Sequence, residues 1–120
     1  MRINILIKQA ASILTTNSHN PDLLKNLIIK KGVIDHLLQF ATATFKKGES
    51  ISSHLHESMF EVFYVLNGEV DVKIGAEKLI ASEGDTFWVP IGTLHSLQFQ
   101  MDSKILYFGI EAQNEVSSSG

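Results

Sequence analysis

Four side chains in this sequence have the types and the spacing to hold a metal ion. His54 and His56 stand two residues apart, Glu61 follows five residues later, and His95 comes just after a Pro90–Gly92 turn. Three neutral imidazole nitrogens and one carboxylate oxygen form a donor set suited to a divalent transition ion: Fe, Mn, Ni, Zn or Co. Two coordination types fit these donors. A tetrahedral zinc would be saturated by four ligands, whereas an octahedral ion would keep one or two positions open for a substrate. The other two histidines read differently. His19 falls in a polar loop beside Asn20 and reads as a surface residue, while His36 opens a strand and could face a pocket.

Converging these donors places demands on the elements that carry them. His54 and His56 share a face if they lie on one strand, because alternate strand side chains point the same way. Glu61 is an odd number of residues from His56, so a continuous strand would turn it away. A loop or bulge within 57–60 is therefore required before Glu61 can begin the next strand facing the histidines. The run Phe60–Leu66 is strongly β-prone, and Asn67-Gly68 reads as a two-residue hairpin turn. The following run, Glu69–Ile74, alternates with Val70, Val72 and Ile74 on one face. Further short strands are expected at His36–Phe45, Ile51–His56, Lys78–Ala81, Thr86–Val89, Leu94–Met101 and Lys104–Ile110. The residues before them read as a strand or helical turn, then the polar loop Thr15–Asn20, then a segment from Leu23 that ends as a strand. Many short strands at roughly ten-residue spacing, separated by glycine turns, indicate an all-β antiparallel sandwich or small barrel.

Composition narrows the possible partners. A chain of 120 residues suits a single domain. Residues 1–110 are expected to form it, with 111–120 a polar, Ser-rich, fraying tail. The net charge of −3 gives no electrostatic reason to expect nucleic acid. No apolar run is long enough to span a membrane, and the N-terminus lacks a signal-peptide cleavage pattern, so a cytoplasmic location is the default expectation. The absence of cysteine removes disulfides, thiolate catalysis and Cys-based zinc sites. There are nine lysines but one arginine, Arg2. Without arginine forks, a phosphosugar or dicarboxylate substrate is disfavoured.

The motifs resemble those of the cupin superfamily. Its first motif runs Gly, five residues, His-x-His, three or four residues, Glu, six residues, Gly; here Gly48, His54, His56, Glu61 and Gly68 match over 48–68. Its second runs Gly, five residues, Pro-x-Gly, two residues, His, three residues, Asn; here Gly84, Pro90, Gly92 and His95 match over 84–99, with Phe99 in place of Asn. The resemblance extends over about residues 25–110. It implies a double-stranded β-helix, or jelly-roll barrel, with N-terminal strands. It implies that His54, His56, Glu61 and His95 are metal ligands near one mouth of the barrel. It also implies a homodimer paired through the N-terminal strands.

Phe99 departs from the pattern and bears on the pocket. It shares a strand face with His95 and Leu97, so an inward Phe99 either lines the pocket or fills the core and narrows it. Phe63 and Val65 share the face of Glu61, and Ala41 and Ala43, with Gln39 as a polar contact, are expected on the opposite wall. These residues describe a mainly apolar cavity around a polar metal. The resulting expectation is a metal-dependent dioxygenase or related enzyme acting on a small, largely apolar molecule, with Tyr107 and His36 as candidates for proton transfer. The alternatives are a metal-dependent isomerase or lyase, and a non-catalytic module that binds or senses a small ligand.

Overall fold

A computed structural model describes residues 14–17 and 24–112. The N-terminal run, the loop holding His19, the Pro21 turn and most of the Ser-rich tail lie outside the described residues. All regular elements within them are strands: β1 (Leu14–Asn17), β2 (Leu24–Lys30), β3 (Leu37–Phe45), β4 (Ser50–His54), β5 (Met59–Asn67), β6 (Glu69–Ile74), β7 (Glu77–Ser82), β8 (Thr86–Val89), β9 (His95–Phe99) and β10 (Ser103–Glu111). No helix among the described residues is long and apolar enough to cross a membrane.

The strands form two sheets. The larger has the order β1-β2-β3-β10-β5-β8 and the smaller β4-β9-β6-β7, with every pairing antiparallel. This is the expected jelly-roll architecture. Period-two alternation decides what faces inward. Ala41, Ala43 and Phe45 on β3, Phe63 and Val65 on β5, and Phe87 and Val89 on β8 are buried from the larger sheet. Val70 and Val72 on β6, with Leu97 and Phe99 on β9, meet them from the smaller sheet.

Three sequence expectations are corrected. Thr15–Asn17 belong to strand β1, paired with β2, where a loop was expected. Asn67-Gly68 does not close a hairpin: β5 lies in the larger sheet and β6 in the smaller, so the chain changes sheets there. Asn67 also lacks the positive φ that a type I′ turn requires at both central residues; Gly68 alone has it, at φ 97°. His36 precedes β3 in a turn with φ 70°, its ring 59% exposed and its Nδ1 3.8 Å from Glu111 Oε1. It faces solvent, away from the pocket.

Candidate metal centre

The two sheets bring the four expected ligands to one point. His54 ends β4 and is the direct cross-strand partner of His95 at the start of β9; their ring centroids are 4.2 Å apart. His56 lies just beyond β4, in the loop that leads to β5, so it reaches the site from that loop and not from a strand. Its carbonyl accepts a hydrogen bond from Gly92 N–H at 2.8 Å, which ties this loop to the Pro90 turn that launches β9. On the other side of that turn, Gly75 N–H donates to the Leu94 carbonyl at 2.8 Å. Glu61, the third residue of β5, enters from the opposite sheet after the bend at residues 57–58.

Ligand atoms from His54, His56, Glu61 and His95 all lie within 4.8 Å of one another. Two opposite metal bonds of about 2.2 Å span roughly 4.4 Å, so little adjustment closes them on one ion. Glu61 Oε1 is 3.3 Å from His56 Nε2 and 3.3 Å from His95 Nε2. Glu61 and His95 are 5% and 2% exposed. Glu61 Oε1 and His95 Nε2 are nonetheless buried without a hydrogen-bond partner. Burying such atoms unpaired is costly, and a cation between them removes the cost.

Two of the imidazoles are also oriented for ligation. A backbone carbonyl can only accept, so the ring nitrogens facing carbonyls must donate. His54 Nδ1–H donates to the Ser52 carbonyl at 2.9 Å, and His95 Nδ1–H to the Thr93 carbonyl at 3.0 Å. In the neutral ring this leaves each Nε2 lone pair free to ligate, the arrangement that orients metal-binding histidines. Without a metal, burial pulls the His95 pKa down. The nearby Glu61 carboxylate, with the hydrogen bond to the Thr93 carbonyl, outweighs that and holds it above the ordinary imidazole range. The residues therefore fit a divalent transition ion, with His54, His56, Glu61 and His95 as the donors.

A cavity of about 690 Å³ opens onto this group. Gln39, Phe63 and Leu97 line it, as expected from strand parity. Ala41 and Phe99 do not, which corrects the expected pocket. Ala41 is fully buried with Tyr107 and Leu27 as its cross-strand neighbours. Phe99 is 1% exposed and stacks on Phe45 at 3.8 Å between ring centroids, so it fills the core while Phe45 presents a face to the cavity.

Sequence reasoning missed Lys25 and Met59, which also line the cavity. Lys25 lies on β2 directly across from Ala43, in an inward-facing row with Ile105 and Val65. The signal was its parity with Leu27, hidden because the segment from Leu23 could also read as a helix. Burial lowers the Lys25 pKa, partly offset by the Glu61 charge. Tyr107 faces the same cavity. Burial, reinforced by the Glu61 charge, raises its pKa well above the ordinary phenol range.

Comparison with known proteins agrees with this architecture. The family model described as "Cupin domain" matches residues 41–108. Among curated proteins, the chain is 24% identical over 93 residues to quercetin 2,3-dioxygenase of Bacillus subtilis; the match covers 78% of this chain but 23% of that enzyme. The chain thus spans about a quarter of the length of this relative. Among solved structures, a predicted oxalate decarboxylase from Thermotoga maritima superposes with a TM-score of 0.78 at 21% identity, covering 88% of this chain and 99% of that one. KdgF from Halomonas sp. gives 0.73 at 19% identity, with coverages of 89% and 93%. An RmlC-like cupin from Shewanella frigidimarina gives 0.74 at 19% identity, with coverages of 95% and 97%. With both motifs in place, the family model matched over more than half the sequence, and the jelly-roll fold in hand, the chain belongs to the cupin family.

Proposed function

We propose that this chain is a metal-dependent enzyme of the dioxygenase type acting on a small organic molecule with a largely apolar body. The observation that carries the reading is the junction of the cavity with the four-ligand group, where Glu61 Oε1 and His95 Nε2 are buried and unpartnered. The similarity to a quercetin dioxygenase supports it. A bound divalent ion would supply Lewis acidity and, if redox-active, electron transfer to dioxygen. The remaining roles belong to the chain. Phe45, Phe63 and Leu97 exclude water and bind the apolar body of a substrate. Tyr107 holds its proton and offers a hydrogen bond to a substrate oxygen beside the ligands.

The test is aerobic turnover. The purified chain, stripped and reloaded separately with Fe(II), Mn(II), Ni(II) or Co(II), is given flavonols, enols and β-diketones in an oxygen electrode. Oxygen uptake matched to substrate loss is expected with at least one pairing. Solvent deuterium entering the substrate without oxygen uptake would replace the reading with an isomerase or lyase. Retention of a ligand with no turnover would replace it with a binding module.

The proposed assembly is a homodimer formed through the larger sheet, with the N-terminal strands at its edge. Its support is an apolar row on that sheet's outer face. Trp88, Val62, Phe108, Phe40 and Ile29 are successive cross-strand neighbours from β8 to β2, and Trp88 is 57% exposed. Such a row is suited to burial against a second copy.

A further inference from the structure

We propose that Lys25 forms an anion subsite in the cavity, and that the natural ligand is a small organic acid whose carboxylate is held by the Lys25 ammonium while its other oxygens reach the four-ligand group. The proposal rests on the metal-site reading above for the second half of that contact only.

Lys25 reaches the cavity from an inward-facing position on β2, in the row Val65–Ile105–Ala43–Lys25. The other three members of that row are fully buried apolar residues. An apolar side chain would suit this position if the cavity held only hydrocarbon, because a partly desolvated ammonium is costly unless it has an anionic partner. Lys25 Nζ donates to Gln39 Oε1 at 2.8 Å and lies 5.7 Å from the centroid of the Tyr107 ring. Those contacts fix where the ammonium sits. Gln39 is itself steadied: its Nε2 reaches Met59 Sδ at 4.0 Å, and Gly109, its neighbour on β10, has no side chain to crowd either residue.

The ammonium has three donors, and Gln39 takes one. Among the described residues, no carboxylate lies within ion-pair distance of Lys25. Glu61 acts on it only at longer range, and that carboxylate already faces His56 and His95. Two donors therefore remain for a ligand in the cavity, which Tyr107 and the four candidate metal ligands also line. A carboxylate completes this set, accepting from Lys25 by charge-assisted hydrogen bonds. The scarcity of arginine disfavours a dicarboxylate gripped by forks, but it does not disfavour a single carboxylate met by one lysine.

Titration calorimetry tests this on the full chain loaded with Ni(II), using 2,4-dioxopentanoate and its uncharged methyl ester as probes. The acid is expected to bind about tenfold or more tightly than the ester. Lys25→Met should abolish that difference while leaving the metal content and ester affinity in place, and Lys25→Arg should keep most of it. Thermal melts of both variants establish that they fold. Equal binding of acid and ester by the wild type overturns the proposal. So does no binding of the acid at millimolar concentration, or an acid preference that survives Lys25→Met, which would put the carboxylate on the metal. Metal content after loading reports on the other reading separately. A chain that takes up no ion yet binds the acid through Lys25 keeps the subsite and loses the metal centre; a chain that holds the ion without a Lys25-dependent preference does the reverse.

Discussion

Glu61 Oε1 lies 3.3 Å from both His56 Nε2 and His95 Nε2, so one carboxylate oxygen faces two candidate ligands, one from the loop after β4 and one from β9. Glu61→Gln keeps the shape and removes the charge. It is expected to lower affinity for a divalent ion by at least about 100-fold, since even outer partners of metal ligands are worth 10–100-fold; competition with a chromogenic chelator measures it. Tyr107 gives a second prediction. Its folded pKa is raised above the unfolded value of about 10. A group raised on folding stabilises the fold fully below its unfolded pKa and loses that contribution as pH rises through the folded one. Urea stability of the wild type should therefore fall as pH climbs above about 10, and Tyr107→Phe should flatten that decline. At this scale the ligands were legible in the sequence, because residue type and spacing carry metal chemistry directly. Lys25 was not, since its meaning depends on which strand it pairs with.

At Gly68 the strands on either side are legible in the sequence, but their connection is not. Asn-Gly followed by an alternating run is a hairpin signal at short range. Whether β6 pairs with β5 or with β9 is decided by distant partners, and here β9 and β7 take both edges of β6. Gly68 serves the corner instead. A Cβ there would collide with Ser103 Oγ and come within 2.7 Å of the Asp102 carbonyl oxygen. Ser103 Oγ in turn donates to the Met101 carbonyl at 2.7 Å and accepts from Glu69 N–H at 3.2 Å, so it has little freedom to yield. Gly84, with φ 89°, has nothing within 4 Å of an added Cβ. Gly84→Ala thus costs backbone strain alone, roughly 1–2 kcal/mol. Gly68→Ala adds overpacking of about 1–3 kcal/mol to the same strain. Urea unfolding of the two variants should rank them in that order, and equal losses would mean that Ser103 moves aside.

At the scale of the whole molecule, the two sheets are unequal, six strands facing four, and the larger carries the apolar row ending at Trp88. The strand order β8-β5-β10-β3-β2 is what lines these residues up as a continuous surface. Sedimentation should give about twice the chain mass of 13.3 kDa. Phe108→Lys should shift the chain to monomer with its metal content retained, because Phe108 points away from the buried face that bears Glu61. A wild type that sediments as a monomer at micromolar concentration would end the homodimer proposal. The proposed metal site matters at this scale too. Its candidate ligands come from β4, the loop after it and β9 on one side and from β5 on the other, so an ion would be held only when the sheets are packed together. Binding to the folded state alone adds about 2.7 kcal/mol at free metal 100 times the dissociation constant. For a domain of this size that is roughly a 10 °C rise in melting temperature. Chelation of the loaded protein should remove the rise. Glu61→Gln should melt at one temperature whether or not metal is added, because its weakened site no longer links the two sheets.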